Sequence, residues 1–150
     1  MFPTDSPIVL IADDSEDDLM MTARFVRLVM PNARVVRCSD GQQTVDCLLE
    51  FVNKPIGDLP SLVILDLKMP KLNGDEVMER MRNERSLAKV PIVLFSSSAL
   101  PEDVERCMQA GVKSYVRKPT DFDEFRKVIQ SICMYWLQTN MSLPSAVGIH

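Results

Sequence analysis

Short apolar runs alternate along the chain with longer stretches of helical period, and this alternation limits the possible folds more than any other feature. Five runs rich in β-branched residues predict strands at residues 8–12, 33–37, 62–66, 91–95 and 114–116. The first, third and fourth runs are apolar almost throughout, as strands covered by helices on both faces are. The alternation is typical of βαβ units, so we predict an α/β fold in three layers, with helices on both faces of a parallel sheet.

The stretches between the strands carry apolar residues every three or four positions, which predicts five amphipathic helices. Local signals mark where these helices begin and end: Pro31 and Pro55 end the first two, Asn73 and Pro101 begin the next two, and Asp121 caps the last. The second strand alternates apolar residues with arginines, so we expect it at an edge of the sheet.

The only histidine, His150, is the last residue, which excludes catalytic systems that need an imidazole held in a cleft. The four cysteines contain no closely spaced pair, so we expect buried free thiols rather than a metal site or disulfides. The chain has 17 Lys and Arg against 21 Asp and Glu, a net charge of −4, and no basic cluster for nucleic acid. No signal peptide or membrane-spanning run is present, so we expect a cytoplasmic protein with no membrane partner.

Polar residues follow the apolar runs at the carboxyl ends of the predicted strands. Asp13 and Asp14 follow the first run, Asp66 closes the third, Ser96 follows the fourth and Lys118 follows the fifth. Because ligands of open parallel sheets bind outside the carboxyl ends of the strands, these side chains should converge on one site. Each residue taken alone has a simpler interpretation, such as a capping residue for Ser96 or a surface lysine for Lys118. Their expected convergence at one edge of the sheet favours a functional site.

Three neighbouring carboxylates repel one another, and a divalent cation relieves that repulsion. A site with only oxygen donors and open positions suits Mg²⁺, which usually takes one or two carboxylates, waters and a phosphoryl oxygen. One carboxylate could then attack phosphorus, with the lysine and the hydroxyl interacting with the phosphoryl oxygens. The neighbouring acids Glu16, Asp17 and Asp18 need no such role, since acids in a first helical turn complement the helix dipole.

These residues resemble the receiver domains of two-component response regulators, over about residues 7–138. The resemblance rests on Asp13-Asp14, on Asp66-Leu-Lys-Met-Pro followed by Asn73-Gly74, on Ser96, and on the sequence Tyr-Val-Arg-Lys-Pro at 115–119. It implies a flavodoxin-like, doubly wound sheet of five parallel strands in the order 2-1-3-4-5. It also implies a switch in a phosphorelay, in which a partner histidine kinase phosphorylates the protein and only its own phosphorylation and dephosphorylation are catalysed.

The resemblance assigns a role to each matching residue. Asp66 is implied to be the phosphoacceptor, and Asp13, Asp14, Asp66 and the Lys68 backbone carbonyl are implied to bind Mg²⁺. Lys118 is implied to contact the phosphoryl group.

The resemblance also implies a conformational switch and an unusual peptide bond. Ser96 and Tyr115 are implied to move when Asp66 is phosphorylated, which would change the surface of the fourth helix, the fifth strand and the fifth helix. The Lys118–Pro119 peptide bond is implied to be cis, a state that proline permits.

Three residues near the implied acceptor site are candidates for modulating its chemistry. Lys68 is basic where many receivers have a neutral or other polar side chain, and Ser98, which follows Ser96 and Ser97, occupies the matching place after the fourth strand. We hypothesise that Lys68 and Ser98 tune the lifetime of the phosphoryl group by controlling access of water. The simpler alternative is a solvent-facing lysine without a kinetic role.

We predict a receiver domain at 1–138 and a C-terminal tail at 139–150 with no output domain, so that a downstream protein would be recognised by contact. Tyr135, Trp136 and Leu137 resemble the end of stand-alone receivers that serve bacterial phytochrome kinases, some of which dimerise there. This resemblance implies a bacteriophytochrome as the kinase and a homodimer formed through this end of the chain. Alternatively, these side chains close the core.

Two other classes of protein stay open as alternatives to a response regulator. An aspartyl-nucleophile phosphatase also uses Mg²⁺, but it needs a second Asp two residues after the nucleophile, where this chain has Lys68. A pseudo-receiver that only binds partners would not need the intact set of polar residues. A dinucleotide-binding fold is disfavoured, because the turn after the first strand lacks glycine.

Overall fold

Five parallel strands form a single sheet in the computed structural model. The structure describes residues 6–54, 59–98, 100–112 and 114–139, with the backbone alone for residues 138 and 139. The strands are β1 (Ile8–Ala12), β2 (Arg34–Cys38), β3 (Leu62–Leu65), β4 (Ile92–Ser96) and β5 (Tyr115–Arg117). Their order across the sheet is β2-β1-β3-β4-β5 and every neighbouring pair is parallel. The predicted doubly wound, flavodoxin-like topology is confirmed, with β2 at an edge.

Five helices alternate with the strands: α1 (Glu16–Val29), α2 (Gly41–Asn53), α3 (Gly74–Asn83), α4 (Pro101–Gln109) and α5 (Phe122–Cys133). A 3₁₀ turn at Arg85–Leu87 follows α3, and α5 continues into a π-helical segment at Met134–Thr139. The predicted helix starts are confirmed. Asp121 accepts a hydrogen bond from the Glu124 backbone, Asn73 and Glu76 form a capping box, and Pro101 is the first residue of α4.

The core consists of two apolar layers, one on each face of the sheet. On one face, Ile11, Ile64 and Val93 of the central strands pack against α1 and α5. Phe25, Phe95 and Phe125 form edge-on and tilted ring contacts in this layer. On the other face, Leu10, Leu65 and Leu94 pack against α2, α3 and α4. Both faces of β1, β3 and β4 are therefore buried, which explains why their sequences are apolar almost throughout.

The prediction of a cis Lys118–Pro119 bond is wrong, since no described peptide bond is cis. The trans form is the lower-energy state of a bond before proline, and the Lys118 side chain reaches the carboxylates beyond β1 and β3 from it. Among the cysteines, Cys38, Cys107 and Cys133 are buried free thiols as expected, whereas Cys47 on α2 is a free thiol that packs at the border of the core and is only half-buried. The helices of the described residues are all too short or too polar to cross a bilayer.

The boundary predicted between a domain at 1–138 and a tail at 139–150 stays a prediction, because residues 140–150 lie outside the described part of the chain. His150 lies outside it as well.

Candidate functional site

The register of the sheet brings the predicted site residues to one edge. Ala12 pairs with Leu65, so Asp13 and Asp66, the next residue of each strand, lie side by side. The Asp66 amide donates a hydrogen bond to the Ala12 carbonyl at 2.9 Å, and the Lys118 amide donates one to the Ser96 carbonyl at 2.8 Å. These backbone hydrogen bonds at the ends of the strands thus fix the positions of the Cα atoms from which the side chains of Asp66 and Lys118 extend.

The ammonium group of Lys118 lies among three carboxylates. Its Nζ is 2.6 Å from Asp13 Oδ2, 2.9 Å from Asp18 Oδ2 and 3.3 Å from Asp66 Oδ2. The residues Lys118, Asp13 and Asp66 are all buried, so these charges interact with little screening by water. The structure therefore brings Lys118 together with two of the predicted carboxylates, and with Asp18, which the sequence analysis assigned only to the helix dipole.

The carboxylates of Asp13, Asp14 and Asp66 fit a hard divalent cation. One oxygen from each lies within 4.8 Å of one from the other two, and Asp14 is the exposed member of the three. Carboxylate oxygens are the ligands that Mg²⁺ takes in proteins, and an exposed side of the cluster leaves room for the waters that it retains. The Lys68 backbone carbonyl, two residues after Asp66, stays a predicted fourth ligand.

Burial and ion pairing act against each other on Asp13 and Lys118. Burial raises the pKa of Asp13 to about 6, although hydrogen bonds from Lys118 and from the Ser15 amide oppose the shift. Burial alone would lower the pKa of Lys118, but its hydrogen bond to Asp13 and the charge of Asp66 outweigh that effect and raise the pKa. At neutral pH the lysine is therefore charged and the aspartate is mostly ionised.

The loop after β3 holds the Asp66 side chain in a defined orientation. Its Oδ1 accepts a hydrogen bond from the Leu67 amide at 2.7 Å, while its Oδ2 points to Lys118. The loop is braced by the start of α3, where the Gly74 amide donates to the Leu67 carbonyl at 2.7 Å. A Cβ atom at Gly74 would lie 2.4 Å from the Asp66 carbonyl oxygen, so only glycine fits there.

Both residues of the predicted switch contact Ser98. Ser96 is buried at the end of β4 and its Oγ accepts a hydrogen bond from the Ser98 amide at 3.3 Å. The Tyr115 hydroxyl donates to the Ser98 carbonyl at 2.8 Å. Ser97, between the two other serines, is exposed. The loop after β4 therefore connects the two residues that the resemblance implies to move together.

Lys68 and Ser98, the two predicted modulating residues, meet at a third side chain on α4. The Ser98 Oγ donates to Asp103 Oδ2 at 2.6 Å, and Lys68 Nζ lies 3.7 Å from the same oxygen. The hydrogen bond from Ser98, with the charges of Lys68 and Arg106, lowers the pKa of Asp103 despite its burial. Asp103 is thus an ionised carboxylate next to the predicted site.

Two carboxylates at or beside this cluster, Asp18 and Asp103, were not predicted from the sequence as site residues. Asp18 lies in the first turn of α1, directly after the loop that carries Asp13 and Asp14, and its nearness to that loop in the sequence is a signal that could have added it to the cluster. Asp103 has the pattern of an ordinary acid in a first helical turn, and its burial follows only from the packing of α4 against the neighbouring loops.

The C-terminal aromatic segment is divided between core and surface. Leu137 is buried in the apolar layer of α1 and α5, and Trp136 is half-buried against that layer. Tyr135 is exposed and its ring packs edge-on against Trp136, with 4.9 Å between the ring centroids. Closure of the core explains Leu137 and part of Trp136, while a homodimer contact through Tyr135 and Trp136 stays a prediction.

Comparison with known proteins identifies the family of the chain. The family model described as "Response regulator receiver domain" matches residues 9–130, which is most of the chain. The chain therefore belongs to the response regulator receiver domain family and is a signalling switch of two-component systems.

Three relatives illustrate this membership. The probable methanogenesis regulatory protein FilR2 of Methanothrix harundinacea is 30% identical over 90% of this chain and 86% of its own. Response regulator Rcp1 of Synechocystis is 27% identical in sequence, over 93% of this chain and 94% of its own. The structure of the Mn²⁺-bound form of Rcp1 matches with a TM-score of 0.75, and the structural alignment has 26% identity over 89% of this chain and 96% of that one. The structure of the bacteriophytochrome response regulator AtBRR matches with a TM-score of 0.67 and is 32% identical, over 87% and 95% of the chains.

Proposed function

We propose that this receiver domain takes a phosphoryl group from a histidine kinase onto Asp66 in a Mg²⁺-dependent reaction and passes the signal on by protein contact in the cytoplasm. The observation that carries the proposal is the orientation of the Asp66 carboxylate. One oxygen is fixed by the Leu67 amide, and the other lies near Lys118 beside Asp13 and Asp14. Only its own phosphorylation and dephosphorylation would be catalysed.

In the proposed transfer, an Asp66 oxygen attacks phosphorus while the bond from phosphorus to the imidazole nitrogen of the kinase breaks. Asp13 and Asp14 would hold Mg²⁺, which when bound supplies positive charge against the phosphoryl oxygens. Lys118, already charged and buried at 3.3 Å from Asp66, would pair with one phosphoryl oxygen. The hydroxyl of Ser96 would donate a hydrogen bond to another, after leaving the Ser98 amide.

The proposed kinase is a bacteriophytochrome or a related sensor. Support comes from AtBRR, a bacteriophytochrome response regulator to which this chain is 32% identical. Support for the metal comes from the Mn²⁺-bound form of Rcp1 and from the three carboxylates of this chain. The target would be a protein that distinguishes the surface of α4, β5 and α5 in the two states.

Incubation with acetyl phosphate and Mg²⁺ is expected to add one phosphoryl group, which Asp66→Asn abolishes because an amide cannot act as the nucleophile. Intact-mass spectrometry measures the adduct, and omission of Mg²⁺ should remove it as well. Asp123→Asn is the matched control, because Asp123 is an exposed acid in the first turn of α5. A label that persists in Asp66→Asn contradicts the proposal, and no label in the wild type favours a pseudo-receiver.

A second prediction concerns the lifetime of the phosphoryl group. The double variant Lys68→Asn, Ser98→Glu is expected to lose the phosphoryl group at least about twofold faster than the wild type. The first substitution removes a cation close to Asp66, and the second introduces a carboxylate that can bind water. The decay of the intact-mass adduct after removal of acetyl phosphate measures the rate. Decay at the wild-type rate would show that neither side chain controls access of water.

A further inference from the structure

A set of charged side chains surrounds the first turn of α4, outside the cluster formed by Lys118. At its centre is Asp103, whose side chain is only 5% exposed. It accepts the hydrogen bond from Ser98, lies 3.2 Å from Arg106 Nη2 and lies 3.7 Å from Lys68 Nζ. A buried carboxylate is costly without such partners, so these contacts account for its position.

The three partners of Asp103 differ in their freedom to leave it. Arg106 is anchored a second time, because its Nε lies 2.9 Å from Asp75 Oδ2 on α3. Ser98 is anchored by the Tyr115 hydroxyl on its carbonyl. Lys68 has a side chain that is 60% exposed and the longest of the three distances to the carboxylate. Lys68 is therefore the partner that a competing anion can draw away.

Asp66, two residues before Lys68, is where such an anion would form. A phosphoryl group carries more negative charge than a single carboxylate, and it would compete with Asp103 for the Lys68 ammonium. An exposed ion pair is weak, so the lysine would be shared between the two anions, and the charge of Asp103 limits the share that contacts the phosphoryl group.

We propose that Asp103 is a positioning residue that holds Lys68 back from the phosphoryl group on Asp66 and thereby shortens the lifetime of that group. The inference rests on the proposed function. In hydrolysis, the oxygen of a water attacks phosphorus, the bond from phosphorus to the Asp66 oxygen breaks, and the carboxylate and inorganic phosphate are released. Lys68 placed over the phosphoryl group would cover the approach of that water, and Asp103 keeps the approach open.

The test compares the decay of the phosphoryl adduct in wild type, Asp103→Asn and Glu102→Gln, after labelling with acetyl phosphate and Mg²⁺. Loss of the Asp103 charge frees Lys68, so Asp103→Asn is expected to lose the group about two to five times more slowly, a range set by the strength of exposed ion pairs. Glu102→Gln is the matched control, because it removes an exposed acid from the same helical turn and should decay as wild type does.

Two further variants separate positioning from a structural effect. In a Lys68→Met background, Asp103→Asn should no longer slow the decay, because the lysine through which it acts is missing. An equal slowing in that background overturns the inference. Lys68→Met alone alters an exposed side chain and does not put the fold at risk. Its adduct should last no longer than that of the wild type, and a longer lifetime also overturns the inference.

The outcomes distinguish the inference from the function on which it rests. If the wild type takes no label, the proposed function is wrong and the inference fails with it. If the wild type and Asp103→Asn are both labelled and decay at the same rate, the inference alone is wrong.

Discussion

Lys118→Met is expected to lower the free energy of unfolding of the metal-free protein by about 3 kcal/mol, the cost of removing one partner from a buried ion pair. The lysine side chain is 5% exposed and its Nζ lies within 3.3 Å of carboxylate oxygens of Asp13, Asp18 and Asp66. Methionine fills much of the same volume but carries no charge. The substitution therefore leaves two buried carboxylates without their cation.

The loss should be smaller when Mg²⁺ is present, because the divalent cation restores positive charge to the same carboxylates. Urea unfolding with and without Mg²⁺ measures both values. Lys127→Met is the matched control, since Lys127 is exposed and its partner Glu124 is 3.6 Å away, and it should change stability by less than about 1 kcal/mol. An equal loss under both conditions would attribute the effect to packing rather than to charge.

The same loss should depend on pH in a defined direction. The folded pKa of Asp13 is about 6, above the ordinary value of 3.8, so its charged form opposes folding and protonation relieves that opposition. Without Lys118 the opposition is stronger. The difference in stability between wild type and Lys118→Met should therefore grow as the pH rises through about 6 and shrink as it falls below that value.

Gly74→Ala is expected to destabilise the protein by about 3 kcal/mol, at the upper end of the usual cost of overpacking. A Cβ atom there would lie 2.4 Å from the Asp66 carbonyl oxygen and 3.0 Å from the Leu67 Cα. Both are backbone atoms, so relief requires the loop that carries Asp66 to move. Phosphorylation by acetyl phosphate should slow in the same variant, since the acceptor carboxylate moves with its loop.

Pro101→Ala provides the control for this prediction, because Pro101 is also the first residue of its helix but is exposed. Urea unfolding gives the stability and the intact-mass adduct gives the phosphorylation rate. A Gly74→Ala protein as stable as Pro101→Ala would show that the loop yields at little cost.

The sheet could be predicted from the sequence because apolar runs, caps and turns are local signals. Several features of the candidate site could not, because they depend on how distant parts of the chain pack together. The third strand ends at Leu65, one residue earlier than predicted, because the Asp66 carboxylate accepts the next amide and turns the chain. Asp103 came next to the predicted site only because its side chain is buried, whereas its neighbours Pro101 and Glu102 in the same turn are exposed. The wrong cis assignment at Lys118–Pro119 came from the resemblance, since the sequence itself permits both isomers.

The contacts of Ser98 with Tyr115 and with Asp103 join the loop after β4 to α4, the helix proposed to contact a target. Coupling between two binding events is reciprocal, so a factor gained at one site is gained at the other. If phosphorylation raises the affinity of a target for α4 by some factor, the bound target must stabilise the phosphorylated state by the same factor. A bound target would therefore prolong the phosphorylated state that it recognises, and the duration of the signal would depend on the concentration of the target in the cell.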